Sequence, residues 1–159
     1  MNIAFVIGNS DYENLDKLEA CKNDIKAVGD VLKATEKYGE IFIEENKTSS
    51  ETKKSIASKI DSLKKEKITI EELVFYYTGH GCHKNDQFYY LPTDYDSKRH
   101  SSTSLSNDEV DEMLKSLNPQ LTVKIIDACE SGQNYIKSKT TQTNITMSKV
   151  TVIGAGNVG

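Results

Sequence analysis

Three observations predict an α/β fold for this 159-residue chain, with a mostly parallel sheet covered by helices on both faces. Short runs rich in Val, Ile and aromatic residues alternate with longer stretches whose apolar residues recur every three or four positions. The short runs are near-continuously apolar, the pattern of strands buried on both faces. Two of them, Leu73–Gly81 and Val123–Gly132, stop abruptly at small residues, and each presents a chemically competent side chain where strand gives way to loop: His80 in one and Cys129 in the other.

Taken in order, Asn2–Ile7 is the first strand, ended by Gly8-Asn9-Ser10-Asp11. Leu18–Ala34 carries Leu18, Cys21, Ile25, Val28 and Leu32 on one helical face. Gly39 is expected to close the next connection, and Ile41–Ile43 is a short second strand running into Glu44. Thr48 with Glu51 three residues on is a capping-box signature for a second helix, whose stripe is Ile56, Ile60 and Leu63. Lys64-Lys65-Glu66-Lys67 is its solvated end. After the His80 strand, QFYYL before Pro92 is a short strand or hairpin arm, and Thr93–Thr103 is polar connection. Ser106 to Glu109 caps a helix bearing Val110, Met113, Leu114 and Leu117, ended by Asn118-Pro119. The Cys129 strand follows. Residues 138–148 are almost wholly polar, an exposed loop, and Lys149–Ile153 is one more strand.

Composition bounds the function. The chain has the length of one domain, and no apolar run approaches the roughly 18 residues of a membrane span. The N-terminus enters a strand without the features of a secretory leader, so a cytoplasmic location is expected. A net charge of −4 and a pI near 5.4, with Lys interspersed among Asp and Glu, offer no basic face for nucleic acid. Three cysteines without CxxC spacing, Cys21, Cys82 and Cys129, signal neither a disulfide framework nor a zinc site.

If the His80 and Cys129 strands lie in one parallel sheet, both side chains emerge at the same carboxyl edge, where ligands bind in open α/β sheets. A thiol beside an imidazole is the minimum equipment of a cysteine nucleophile with its base. His80 has a Gly-His-Gly setting that lets backbone approach a substrate closely, whereas His83 and His100 lie in polar surroundings. Cys21 falls on a helix's apolar stripe, as most buried thiols do.

His80 stands 49 residues before Cys129, and the caspase arrangement places its histidine about 50 residues upstream of the cysteine. With TGHG, IDACESG and an Asp two residues before the cysteine, the chain resembles the caspase-like cysteine peptidases, closest to the metacaspase and prokaryotic branch; the Gln-Ala-Cys signature of animal caspases is missing. The resemblance implies a three-layer caspase-haemoglobinase-like α/β/α sandwich. Residues 1–136 would form the large part, 137–148 an exposed processing linker, and 149–159 the first strand of a truncated small part. Either the chain is a fragment, or it is a shortened relative that needs a partner to complete its sheet.

The resemblance further implies that Cys129 is the nucleophile of an endopeptidase, that His80 is its general base and acid, and that the backbone N–H groups of Gly81 and Cys129 hold the oxyanion. In metacaspases an Asp matching Asp127, with the Asp of a Cys-x-Asn-Asp motif matching Cys21-Lys22-Asn23-Asp24, lines a pocket for a basic side chain. Cleavage after Arg or Lys is therefore expected, with Lys137, Lys139 and Lys149 as candidate self-processing sites. No cofactor is implied. Asp86, Asp94 and Asp96 are acids that can bind a cation weakly, but the acidic insertion of calcium-dependent relatives is missing, which puts calcium activation in doubt. The implied partners are a protein or peptide substrate, and a remaining small-part segment or regulatory protein, not nucleic acid or membrane. Two other readings stay open: a catalytically silent caspase-like scaffold, and a different thiol hydrolase that keeps Cys129 and His80 without using Asp24 and Asp127.

Overall fold

Five strands run parallel in one sheet, in the order β2-β1-β3-β7-β8. They are β1 (Asn2–Gly8), β2 (Tyr38–Glu45), β3 (Glu72–Gly79), β7 (Leu121–Ala128) and β8 (Lys149–Gly154). The computed structural model describes residues 1–128 and, of β8, the backbone at 149–154. A small antiparallel sheet of β4 (Gly81–Lys84), β5 (Gln87–Tyr90) and β6 (Leu105–Ser106) is carried on the carboxyl end of β3. The helices are α1 (Glu19–Ala34), α2 (Ser49–Lys65), the single turn α3 (His100–Thr103) and α4 (Asn107–Lys115).

The continuous apolar runs resolve into two faces by strand alternation. From β1 and β3, Ile3, Phe5, Ile7, Leu73, Phe75 and Tyr77 pack against Ile56, Ile60 and Leu63 of α2 and Val110 and Leu114 of α4. The opposite face carries Val6 and Tyr76, covered by Ile25 of α1. Helices therefore lie on both faces, as the sequence predicts. On β7 the alternation gives Ile126 and Ala128 to the α2/α4 core, whereas Val123, Ile125 and Asp127 point to the α1 side and are only partly covered or exposed. The candidate site lies at the carboxyl end of this partly covered face.

Both expected capping boxes are formed, Thr48 with Glu51 on α2 and Ser106 with Glu109 on α4. α1 starts one residue later than the periodicity predicts, with Leu18 as its N-cap and its N–H bonded to the Ser10 carbonyl at 2.9 Å. Gly39 does not close the α1–β2 connection. It lies inside β2 against Met1, and the left-handed residue that turns the chain is Glu36, at φ 53°. The Thr93–Thr103 stretch is not structureless, because Asp96 caps a 3₁₀ turn over Ser97–Arg99 that leads into α3. The β4–β5 hairpin turns on Asn85 and Asp86, both at positive φ, the signature of a type I′ turn.

Lys124 breaks the apolar pattern of β7 and is nevertheless 2% exposed. Its ammonium is held by Asp111 at 2.6 Å and by Asn107, and it lies 5.7 and 5.6 Å from the ring centres of Phe75 and Tyr90. A buried charge is tolerable only when hydrogen-bonded in this way. Lys124→Met keeps the aliphatic stem but removes the charged donor from Asp111 and Asn107, which keep only their bond to each other and that of Asn107 to the Tyr90 hydroxyl, so urea denaturation is expected to show a loss of about 1–3 kcal/mol. A variant as stable as wild type would overturn this account of the ammonium.

Candidate active site

β3 ends at Gly79 opposite Ala128, the last residue of β7. Neighbouring strands lie about 4.8 Å apart, so the two chain exits, one leading to His80 and the other to position 129, are adjacent at the carboxyl edge of the sheet. Cys129 itself lies outside the described residues, as do Lys137 and Lys139.

His80 is half-buried, and Nε2 of its ring lies 2.9 Å from the Asp16 carbonyl. A carbonyl oxygen only accepts, so Nε2 carries the proton in that contact and Nδ1 is left as the basic nitrogen. The ring of Tyr12 meets the imidazole edge-on at 4.6 Å, and the Tyr12 hydroxyl accepts from the His80 N–H at 2.8 Å. The loop supplying Tyr12 and Asp16 is tied down in turn. Asn46, at the end of β2, accepts from the N–H groups of Ser10 and Asp11 at 2.7 and 3.0 Å. Nothing in the local pattern marks Tyr12, Asp16 or Asn46 beyond a tyrosine set in an otherwise polar turn.

The flanking glycines are required by space. A Cβ on Gly81 would meet the Phe88 ring at 2.6 Å and the Ala128 Cβ at 3.1 Å. Gly79 adopts φ 150°, outside the range L side chains favour. The Leu91 N–H bonds the His80 carbonyl, which sets the phase of the β4–β5 ladder so that the Gly81 N–H turns away from β5. It is thus placed to donate outside the hairpin. His83 and His100 have other roles: His83 packs on Phe88, and His100 is buried between Tyr89 and Tyr95.

Asp127 pairs in register with Thr78, whose hydroxyl reaches the Cys21 sulfur of α1 at 3.2 Å. Asp127, Thr78 and α1 therefore share one side of the sheet, and Asp24, one helical turn after Cys21, comes within electrostatic reach. Burial, and then the Asp24 carboxylate, hold the Asp127 carboxyl above its ordinary value. Burial together with the same two carboxylates pushes the Tyr76 phenol up to about 12. Among the described residues neither Asp24 nor Asp127 has an ion-pair partner. Two carboxylates side by side repel, and a cation inserted between them relieves the repulsion.

Asp94 and Asp96 are already engaged: Asp94 accepts from the Ser49 N–H at the start of α2 at 2.7 Å, and Asp96 from the Lys98 N–H and the Arg99 guanidinium. Among the described residues no group of three His, Cys, Asp or Glu is arranged to hold a metal ion, and no helix is long and apolar enough to cross a membrane. Lys149 is the first residue of β8, opposite Leu121 in the ladder. Cleavage after it would require freeing that end of the strand.

The fold is similar to the crystal structure of protein GSU0716 from Geobacter sulfurreducens, with a TM-score of 0.59 and 17% sequence identity over 83% of this chain and 52% of that one. This chain thus spans about half the length of that structure. No curated protein matches the sequence. The family model described as the caspase domain, peptidase C14, matches residues 1–155. With histidine and cysteine motifs at the ends of adjacent strands in a sheet of this topology, the chain belongs to the caspase-domain family of peptidases.

Proposed function

We propose that the protein is a cysteine endopeptidase that cuts peptide bonds after Arg or Lys, with Cys129 as nucleophile and His80 as its base and acid. The observation that carries the specificity is the pair of carboxylates, Asp24 and Asp127, which interact electrostatically near the carboxyl end of β7 and have no ion-pair partner among the described residues. In this reading the Cys129 thiolate attacks the scissile carbonyl carbon and forms an acyl-enzyme. The developing oxyanion accepts from the N–H groups of Gly81 and Cys129. His80 delivers a proton to the leaving amine and then takes one from the water that releases the acyl group. Asp16 keeps the imidazole in the required tautomer through the backbone carbonyl that meets Nε2. The division into a large part (1–136), a processing linker (137–148) carrying Lys137 and Lys139, and a small part beginning at 149 belongs to the same proposal.

Fluorogenic peptides identical except for Arg, Lys or Asp before the bond test it, with wild type, Cys129→Ala and Asp127→Ala. Cutting of the basic peptides, lost in both variants, is the expected result. Cutting that ignores the basic side chain would point to a thiol hydrolase that does not use the two acids. No cutting by this chain or by one extended through further small-part strands would favour a silent scaffold.

A further inference from the structure

Gly79 leaves room for two phenols. The Cβ it lacks would lie 2.7 Å from the Tyr12 hydroxyl and 2.8 Å from that of Tyr77. The His80 N–H donates to the Tyr12 hydroxyl at 2.8 Å, and the Tyr77 hydroxyl lies 2.8 Å from the His80 carbonyl and 3.0 Å from that of Leu91. The Tyr77 hydroxyl also bonds the Tyr12 hydroxyl and the Asn9 side chain. Carbonyls accept, so the one Tyr77 O–H proton is shared by the His80 and Leu91 carbonyls; Tyr12 then donates to Tyr77 and accepts from the His80 N–H. The chain starts on the amide of His80 and returns to the carbonyl of the same residue. Both tyrosines are buried, at 7% and 2% exposure, where such chains reinforce their members.

We propose that Tyr12 and Tyr77 are positioning residues for His80. The relay pins the backbone at both peptide groups of the histidine, and the Tyr12 ring and the Asp16 carbonyl fix the imidazole that projects from it. The proposal rests on the Cys129–His80 reading. It adds that the base is aimed by a hydroxyl relay from the loop after β1 and from β3 itself, and not by packing alone. Both links hold the same residue, Tyr12 at its N–H and Tyr77 at its carbonyl, which also accepts from the Leu91 N–H.

The test is the rate of alkylation of Cys129 by iodoacetamide as a function of pH on the full 159-residue chain. Peptide mapping separates Cys129 from Cys21 and Cys82, and thermal stability is recorded in parallel. Reactivity follows the thiolate, which an oriented imidazole favours near neutral pH. Tyr12→Phe and Tyr77→Phe keep the rings and remove the relay. Each is expected to lower the neutral-pH rate by about 10-fold and to move the profile towards that of His80→Ala, with the double variant moved at least as far as the poorer single. Tyr38→Phe is the control. It loses a hydroxyl bond to Glu72, at 2.6 Å, in the first turn of β2 and β3, and should keep the wild-type profile even where stability falls. Tyr12→Phe and Tyr77→Phe profiles that overlay wild type would overturn the relay. If His80→Ala itself leaves the profile unchanged, the Cys129–His80 reading fails and the relay with it. If His80→Ala changes the profile and no peptide is cut, only the cleavage reading falls.

Discussion

His80→Ala is expected to lower kcat/KM on an Arg peptide by about 10²- to 10⁴-fold, the usual contribution of a positioned acid–base group, while leaving the chain folded. The ring is half-exposed and outside the main core, and the backbone groups of residue 80 keep their bonds to Tyr12, Tyr77 and Leu91 whatever the side chain. The loss therefore reports chemistry and not collapse. Cys129→Ala should cost as much or more, and the double variant no more than Cys129→Ala alone, because groups that act as a unit are not additive. Steady-state kinetics with a folding check by circular dichroism decides it. A loss under 10-fold, or independent losses, would mean that the imidazole is not the partner of the thiol.

Neutralising the acids should act on KM. A charge-assisted hydrogen bond contributes about 1.5–3 kcal/mol, so Asp127→Asn is expected to raise KM for an Arg peptide by about 10- to 100-fold, with a smaller effect on a peptide carrying neutral citrulline at that position. The pH dependence follows from the raised carboxyl. A cation binds the ionised form of Asp127, and that form is lost as pH falls through a midpoint above the ordinary aspartate value of 3.8. KM for the basic peptide should therefore climb on acidification through that raised midpoint, earlier than for an ordinary carboxylate. Asp24→Asn removes the second cause of the shift, so it should raise KM at neutral pH and at the same time move the acid limb to lower pH. These two opposite movements separate an electrostatic pair from a packing defect. An unchanged acid limb in Asp24→Asn would show that the carboxylates do not interact.

Local pattern made much of the molecule legible. The order of alternating strands and helices, both capping boxes and the strand end before His80 could be read because apolar periodicity, Ser/Thr-x-x-Glu spacing and small-residue stops act within a few residues. The β4–β5 hairpin was readable in principle from Asn85-Asp86, and the helical turn at His100 was hidden in a polar stretch. What lay beyond the sequence shares one cause, separation along the chain. Lys124 sits in an apolar run that reads as any buried strand, and only packing brings Asp111 and Asn107 to it. Cys21-Lys22-Asn23-Asp24 marked Asp24 as a candidate, but the coupling to Asp127 depends on α1 crossing the sheet above the register of Thr78 with Asp127. The hold on His80 by Tyr12 and Asp16 depends on a loop more than sixty residues away in sequence folding back onto the end of β3. The sequence by itself determined the elements, since these follow from short-range sterics and burial. Only the tertiary structure decided what holds His80 and which carboxylates come within electrostatic reach of each other, because those interactions exist only once segments distant in sequence share a sheet.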